Sequence, residues 1–489
     1  MHPLCSRIAA AAGSAALAAL LAAGCSVNPA TGKQQLNLVS ENQEIQMGRE
    51  ADQQVIAEMG LYDDPQAQAY VSRLGKELAA HSERPNLPWS FKVVDDPAVN
   101  AFALPGGFIY VTRGLMTHMT NEAELVSVIG HEIGHVTARH SVNQMSKAQI
   151  ANIGLIAGAI FRPDIAQGPL GQLAGQGLGL VFLKFSRDDE RQADELGLRY
   201  LRGENYDPRQ MAEVFKTLER VGEEAGPGAK VPNWMATHPA PAERYQTVQK
   251  ALEGVQTAGL KVNEEPYLEV VDGMVFGQDP REGFFKNTVF YHPEMKFQFT
   301  FPQGWQTQNT KSSVAALSPD KDAIVQITLA QGSDPKAAAQ KFFGQQGLQS
   351  GQGWTSNIGG KPAVTGTFQA ATEQGDLRGA AAFVAHNGRV FQILGYTPAA
   401  RWGKYQSSLQ STLASFDDVS DPSVLNVQPL RVDVVRAPRN MTLATFESQY
   451  PSPVNIQKLA LINGLEPNAS IQSGELVKRV VGNSVAAGS

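Results

Sequence analysis

Between Asn121 and His140 the chain reads NEAELVSVIGHEIGHVTARH, a run that is apolar along most of its length yet carries three histidines and the pair His131-Glu132 at its centre. Leu125, Val128, Ile129 and Val136 recur at helical spacing, and Asn121 with Glu124 has the spacing of a capping box, so the run predicts a buried helix. Imidazoles and a carboxylate inside such a helix cost free energy unless partners meet them there, and the rest of the chain must supply those partners. His131 and His135 stand at i and i+4, one above the other on one face, which places two ring nitrogens to grip a single zinc ion. Glu132, beside the first of them, is placed to take a proton from water activated at that ion. The competing reading is a pair of core histidines in an amphipathic helix.

Two histidines leave a zinc site short of the three protein ligands that hydrolysis requires. The metzincin pattern would put glycine at position 138 and histidine at 141; Ala138 and Ser141 stand there, with His140 one residue short, so that class is excluded. Downstream, SRDDERQADELGLRYL offers Glu190 and Asp194, again at i and i+4, on a helix that Ser186 can cap. Glu190 is the expected third metal ligand, and Asp194 the acceptor for the second N–H of a ligand histidine, which would fix its tautomer. The alternative here is a solvated acidic helix start, the role expected of Asp188 and Asp189.

Four segments then occur in a set order: NAFALPGGFIYVTRGL, HEIGH, ERQAD and THPAPAER. Together they resemble the zinc peptidases related to the CAAX prenyl protease, and within them the soluble bacterial lipoprotein branch. The resemblance covers about Asn28 to Leu252. It implies a mainly α-helical gluzincin-type domain with a small sheet, one Zn2+ per chain and endopeptidase action on proteins or peptides. In that family the loop around His238 lies over the active site, and its histidine can sit on the metal in place of the catalytic water; the alternative is that His238 caps a helix or orients product. Arg244, and Tyr245 with less support, are candidates for stabilising the oxyanion, against a plain helix-surface arginine. Phe108, Ile109 and Tyr110, after the Gly106-Gly107 pair that lets backbone approach closely, are expected to form a substrate-docking edge strand, the alternative being an interior strand. One protease of that branch carries a tetratricopeptide array at its C-terminus, and no helical repeat of that kind appears here, so its partners do not carry over.

The rest of the chain sets the context. Arg7, the apolar run Ile8 to Ala23 and Ala22-Ala23-Gly24 read as an export signal over residues 1–24. Leu21 to Cys25 resembles a lipobox, so Cys25 is expected to carry lipid and hold the protein on the periplasmic face of a Gram-negative outer membrane; a plain secretory signal is the alternative. Lys plus Arg is 41 against 47 Asp plus Glu, a net of −6 with no basic run, which excludes nucleic acid as a partner. After Pro65 a helix is expected through Leu78, and Trp89 to Val94 as a strand. Two Gly-rich apolar stretches between Ile150 and Phe185 are too short to span a bilayer, and are expected as helices over or beside the site or as membrane-surface contacts.

An α+β fold class is expected throughout. A first domain over 25–260 carries the site. A second over 284–419, opening with YHPEMKFQFTFPQGWQ as one strand from Val289 to Phe301, resembles PsbP/Mog1-like modules. A small βααβ tail over 428–482 is similar to a LysM-type fold but has Asn440-Met441 where Gly-Asp is usual, so docking of the tail is preferred over glycan binding. The expected role is periplasmic protein quality control, with a chaperone or assembly scaffold holding a mostly latent site as the alternative, and cell-wall or envelope-protein contact as a role for the tail.

Overall fold

A computed structural model describes residues 25–147, 184–224, 234, 237–238, 241–351, 353–372 and 375–483. The export signal and all but the last two residues of the Gly-rich stretches lie outside the described residues.

The first helix, Glu41–Met59, begins where Ser40 and Gln43 close a full capping box, and the second, Pro65–Ala80, where Asp64 accepts two backbone N–H groups ahead of a proline at its first position. A three-stranded sheet follows, with Phe108–Thr112 in the middle, parallel to Ser90–Val94 and antiparallel to Ala101–Leu104. The docking expectation for Phe108, Ile109 and Tyr110 is therefore corrected. Their strand has a neighbour on each side and every residue in it is buried, so it has no free edge to offer a peptide. The glycines before it answer to packing instead: a Cβ on Gly106 would lie 2.6 Å from Ile45 Cα, so the turn can press against the first helix only without a side chain.

The histidine-bearing helix, Glu122–Thr137, is buried at every residue. It lies so close to the acidic helix, Arg187–Gly203, that a Cβ on Gly134 would stand 3.0 Å from Ala193 O, and one on Gly197 would stand 3.2 Å from His131 N. The core around these helices runs on through Tyr267, Leu268 and Val271 to Val275, past the expected boundary at residue 260, because helix Glu264–Val271 closes one side of it.

The second unit is built on an eight-stranded antiparallel sheet whose long central strands are Lys361–Thr372, Gly375–His386 and Arg389–Pro398. Helix Trp402–Leu413 packs with Val325, Ala382 and Ile393, and helix Pro335–Phe343 with Ala381 and Phe383, so alternate residues of the sheet carry the two helices on opposite faces. The single strand expected from Val289 to Phe301 is a hairpin, Val289–His292 and Phe297–Thr300, because Lys296 takes the left-handed conformation between them. Among the described residues no helix is long and apolar enough to cross a membrane.

The C-terminal unit pairs Leu430–Arg436 antiparallel with Leu476–Val481 and places helices Leu443–Gln449 and Ile456–Ile462 between them. It does not stand apart. Val275–Phe276, the end of the first core, adds to its sheet as a third strand. Lys478 crosses the junction fully buried, with Nζ donating to the carbonyls of Thr117 at 3.1 Å and Met119 at 2.5 Å. Burial pushes its ammonium down to about 7, against the opposing pull of Glu124 and Glu264. Lys478→Ala strands those two carbonyls and opens a void, and is expected to destabilise the protein by about 2–4 kcal/mol, read as a lower Tm in thermal unfolding. An unchanged Tm would mean that the buried ammonium does not tie the units together.

Candidate metal centre

Asn121 caps the histidine helix by accepting the N–H of Glu124, and three turns later His131 and His135 face the same way with their Nε2 atoms 3.0 Å apart. The acidic helix starts with a capping box between Ser186 and Asp189, which sets its first inward residue, Glu190, against the histidines. Glu190 Oε1 lies 3.5 Å from His135 Nε2, and Oε2 lies 3.6 Å from His131 Nε2. His238 completes the group: its Nδ1 is 3.0 Å from Glu190 Oε1 and 3.3 Å from His131 Nε2. One ligand atom from each of the four lies within 4.8 Å of the others, and all four residues are buried.

Behind this group, His131 Nδ1 lies 2.9 Å from Asp194 Oδ1. With its proton there, His131 presents a bare lone pair at Nε2. Asp194 in turn receives a fork from Arg244, Nε to Oδ2 at 2.8 Å and Nη2 to Oδ1 at 2.5 Å, while Nη1 pairs with Glu190 Oε2 at 2.8 Å. The guanidinium is sandwiched between Phe215 and Trp234, 4.5 and 4.8 Å from the two ring centroids. Arg244 is buried, so it is no surface arginine; Asp194 takes its Nε and Nη2, while Nη1 stands 2.8 Å from Glu190 Oε2 without a hydrogen-bond partner. Tyr245 packs at the edge of the core with Lys216 over its ring, and no described contact brings it to the cluster.

Glu132 differs from its neighbours. Both of its carboxylate oxygens are buried without a hydrogen-bond partner, and His238 Nε2 lies 3.6 Å from Oε1. Burial, with a smaller contribution from the charge of Glu190, pushes its carboxyl up to about 7, while His135 and Arg244 oppose the rise. Burial and then Arg244 push His131 down to about 3, which keeps that ring neutral and able to donate a lone pair. Burial opposes ionisation of Glu190 and Asp194 as well, but His238 and Arg244 hold the first well below its usual range, and Arg244 holds the second low.

This arrangement fits a zinc ion. Two imidazole nitrogens, a carboxylate and a third imidazole converge, and a proton acceptor with unspent lone pairs stands beside them. Trp234 was not legible as part of the site. It stacks on His238 with centroids 5.1 Å apart while its other contacts brace Arg244, and in sequence it is only an aromatic residue in a segment rich in proline and glycine.

Residues 65–252 match peptidase family M48. Over 238 residues the chain is 29% identical to the beta-barrel assembly-enhancing protease of Escherichia coli (strain K12), covering 47% of this chain and 48% of that protein. It is 31% identical over 233 residues to the mitochondrial metalloendopeptidase OMA1 of Schizosaccharomyces pombe, covering 47% of this chain and 66% of the relative. The chain thus spans about half the length of the assembly-enhancing proteases it matches. Among solved structures it is similar to the cyanobacterial PsbP (CyanoP) from Synechocystis sp. PCC 6803, at 13% identity over 27% of this chain and 94% of that one, with a TM-score of 0.23.

The charge balance gives two expected outcomes. Metal analysis of purified variants should find about one zinc per chain in the parent and in Glu132→Gln, and loss of zinc in His131→Ala, His135→Ala and Glu190→Gln, each of which removes a ligand; a fully loaded Glu190→Gln would remove Glu190 from the ligand set. In metal-free protein the raised Glu132 carboxyl binds its proton more tightly folded than unfolded, so the stability it allows is present below its ordinary range and is lost as pH rises through about 7. Metal-free Glu132→Gln should therefore exceed the metal-free parent in Tm, by a margin that grows between pH 5 and pH 8.

Proposed function

We infer that this chain, whose residues 65–252 belong to peptidase family M48, is a zinc metalloendopeptidase that hydrolyses peptide bonds of misfolded or unassembled envelope proteins. The observation that carries the chemistry is the orphaned Glu132 carboxylate beside the cluster of His131, His135 and Glu190. Bound by those three side chains, zinc would supply the Lewis acidity that makes water and a scissile carbonyl reactive. Glu132 takes the proton from the attacking water at its free oxygens and returns it to the leaving amine. Asp194 and Arg244 keep His131 and Glu190 in place. The envelope setting is supported by the lipobox-like Leu21 to Cys25 and by the likeness to the beta-barrel assembly-enhancing protease of Escherichia coli; lipid on Cys25 would hold the enzyme at the membrane surface.

Substrate docks on the outer strand Ala101–Leu104, which has a strand neighbour on one side only. Thr112 N donates to Asn100 O, so positions 100, 102 and 104 pair inward, and the backbone groups of Ala101 and Ala103 point away from that neighbour, Ala103 being partly exposed and Ala101 buried. No described backbone group meets them there, and the strand lies against the histidine helix. An extended peptide added along this edge would be held by its main chain with little sequence preference, as disposal of unfolded protein requires. Ala103→Pro removes an outward N–H and no internal ladder bond; it should raise KM on an unfolded substrate with zinc content unchanged, and unaltered kinetics would place docking elsewhere.

His238 makes the resting enzyme latent. Its ring nitrogen sits among the metal ligands, its backbone N–H is held by Trp234 O at 2.7 Å, and its ring is stacked on Trp234. As a fourth protein ligand it would occupy the position that water needs, and its withdrawal would turn the enzyme on. His238→Ala should keep its zinc and cleave an unfolded protein faster than the parent. A variant that keeps zinc and cleaves more slowly would make His238 a transition-state residue and end the latency reading.

A further inference from the structure

His135 has a second partner that the metal site does not use. Its Nδ1 lies 2.9 Å from Nδ1 of His140, and Nε2 of His140 lies 2.8 Å from Oε1 of Gln192, with both histidines buried. At such a separation one ring nitrogen donates and the other accepts. If Nε2 of His135 keeps its lone pair for the ion, its proton is on Nδ1 and is given to His140. His140 then carries its own proton on Nε2, where the Gln192 carbonyl stands to accept it. The assignment closes from Gln192 to the ion site with each atom used once, and Asp189 Oδ1 stands further off, 3.7 Å from the same nitrogen.

The contact is built, since a continuous helix would not make it. Five residues along an α-helix is about 140° round from His135, facing away. The chain breaks that geometry at Arg139, which takes a left-handed φ of 59°, unfavourable for a side chain, and so ends the helix after Thr137. Arg139 is fixed there by Nε on Glu44 Oε2 at 2.9 Å and by Nη2 on Val39 O at 2.8 Å. Gln192 comes from the helix that supplies Glu190 and Asp194, so one element carries a ligand and the outer supports of both histidines. Phe185 lies over the His135 ring with centroids 4.0 Å apart.

We propose that His140 is the positioning residue of His135, accepting its Nδ1–H to fix tautomer and ring plane as Asp194 does for His131, with Gln192 fixing His140 in turn. The proposal rests on His131, His135 and Glu190 being the zinc ligands. His131 is backed by a carboxylate and His135 by a neutral ring, so the two ligands differ in basicity by design.

The test uses the full chain, zinc alone as probe in competition with a chromophoric chelator, and imidazole 15N NMR of the zinc-loaded protein. His140→Phe, similar in bulk and unable to accept, should bind zinc about 10–100-fold more weakly and lose the protected Nδ1–H signal of His135. His140→Asn, whose amide oxygen falls where Nδ1 was, should recover most of the affinity, and Gln192→Met should lose less than His140→Phe. If His140→Phe binds zinc within about twofold of the parent, or if His140→Asn is no better than His140→Phe, His140 is a packing residue and the proposal is overturned. A His135→Ala control that kept full affinity would instead overturn the ligand set beneath it.

Discussion

The site depends on how closely two helices can approach. Gly134 and Gly197 let the histidine helix and the acidic helix approach so closely that an added side-chain carbon would lie only 3.0 to 3.2 Å from the facing backbone. Only at that separation can Glu190, a short-reaching carboxylate, stand within 3.6 Å of the histidine nitrogens. A methyl group at either glycine would meet the facing backbone at 3.0 to 3.2 Å, so the two helices, and with them the ligands they carry, would have to give way slightly at the site.

Close approach concentrates charge where water is absent, and the molecule answers this unequally. Asp194 and Glu190 share one guanidinium, clamped between two aromatic faces, so both stay ionised although buried. Glu132 receives nothing. A fully balanced site would have been more stable and could not have moved a proton, because a carboxylate whose lone pairs are all engaged has no place to receive one. The unmatched group is the one on which the chemistry rests, and its cost is borne by the close packing around it.

Much of this was legible in sequence because helix periodicity carries it. His131 with His135, and Glu190 with Asp194, share faces by virtue of their spacing alone, and the caps at Asn121 and Ser186 mark where each helix starts. What was misread depends on pairing between segments distant in sequence. Phe108–Thr112 looks like any apolar strand after a glycine turn; whether it lies at an edge is decided by Ser90–Val94, which pairs parallel to it from another part of the chain. That Arg244 is buried rather than on a helix surface was hidden because its two carboxylate partners lie about fifty positions upstream. His140 was set aside for standing one position short of a known pattern, and only a left-handed residue invisible to periodicity brings it back to His135.

The same view explains why a small C-terminal unit is built into the first core. The histidine helix is held at both ends by charges buried from opposite sides. At its C-terminal end Arg84, itself paired with Glu44, donates to Val136 O at 3.0 Å. At its N-terminal end Glu124 accepts the Thr120 N–H at 2.6 Å, and the buried Lys478 pins the carbonyls of Thr117 and Met119 just before it. A helix fixed at one end only would pivot, and a small rotation carried over the turns between Glu124 and His135 would swing both histidine nitrogens away from Glu190, which stands 3.5 and 3.6 Å from them on the other helix. The tail is thereby tied to the metal centre without touching it: Lys478, on the strand Leu476–Val481, holds the carbonyls that lead directly into the helix carrying both histidines.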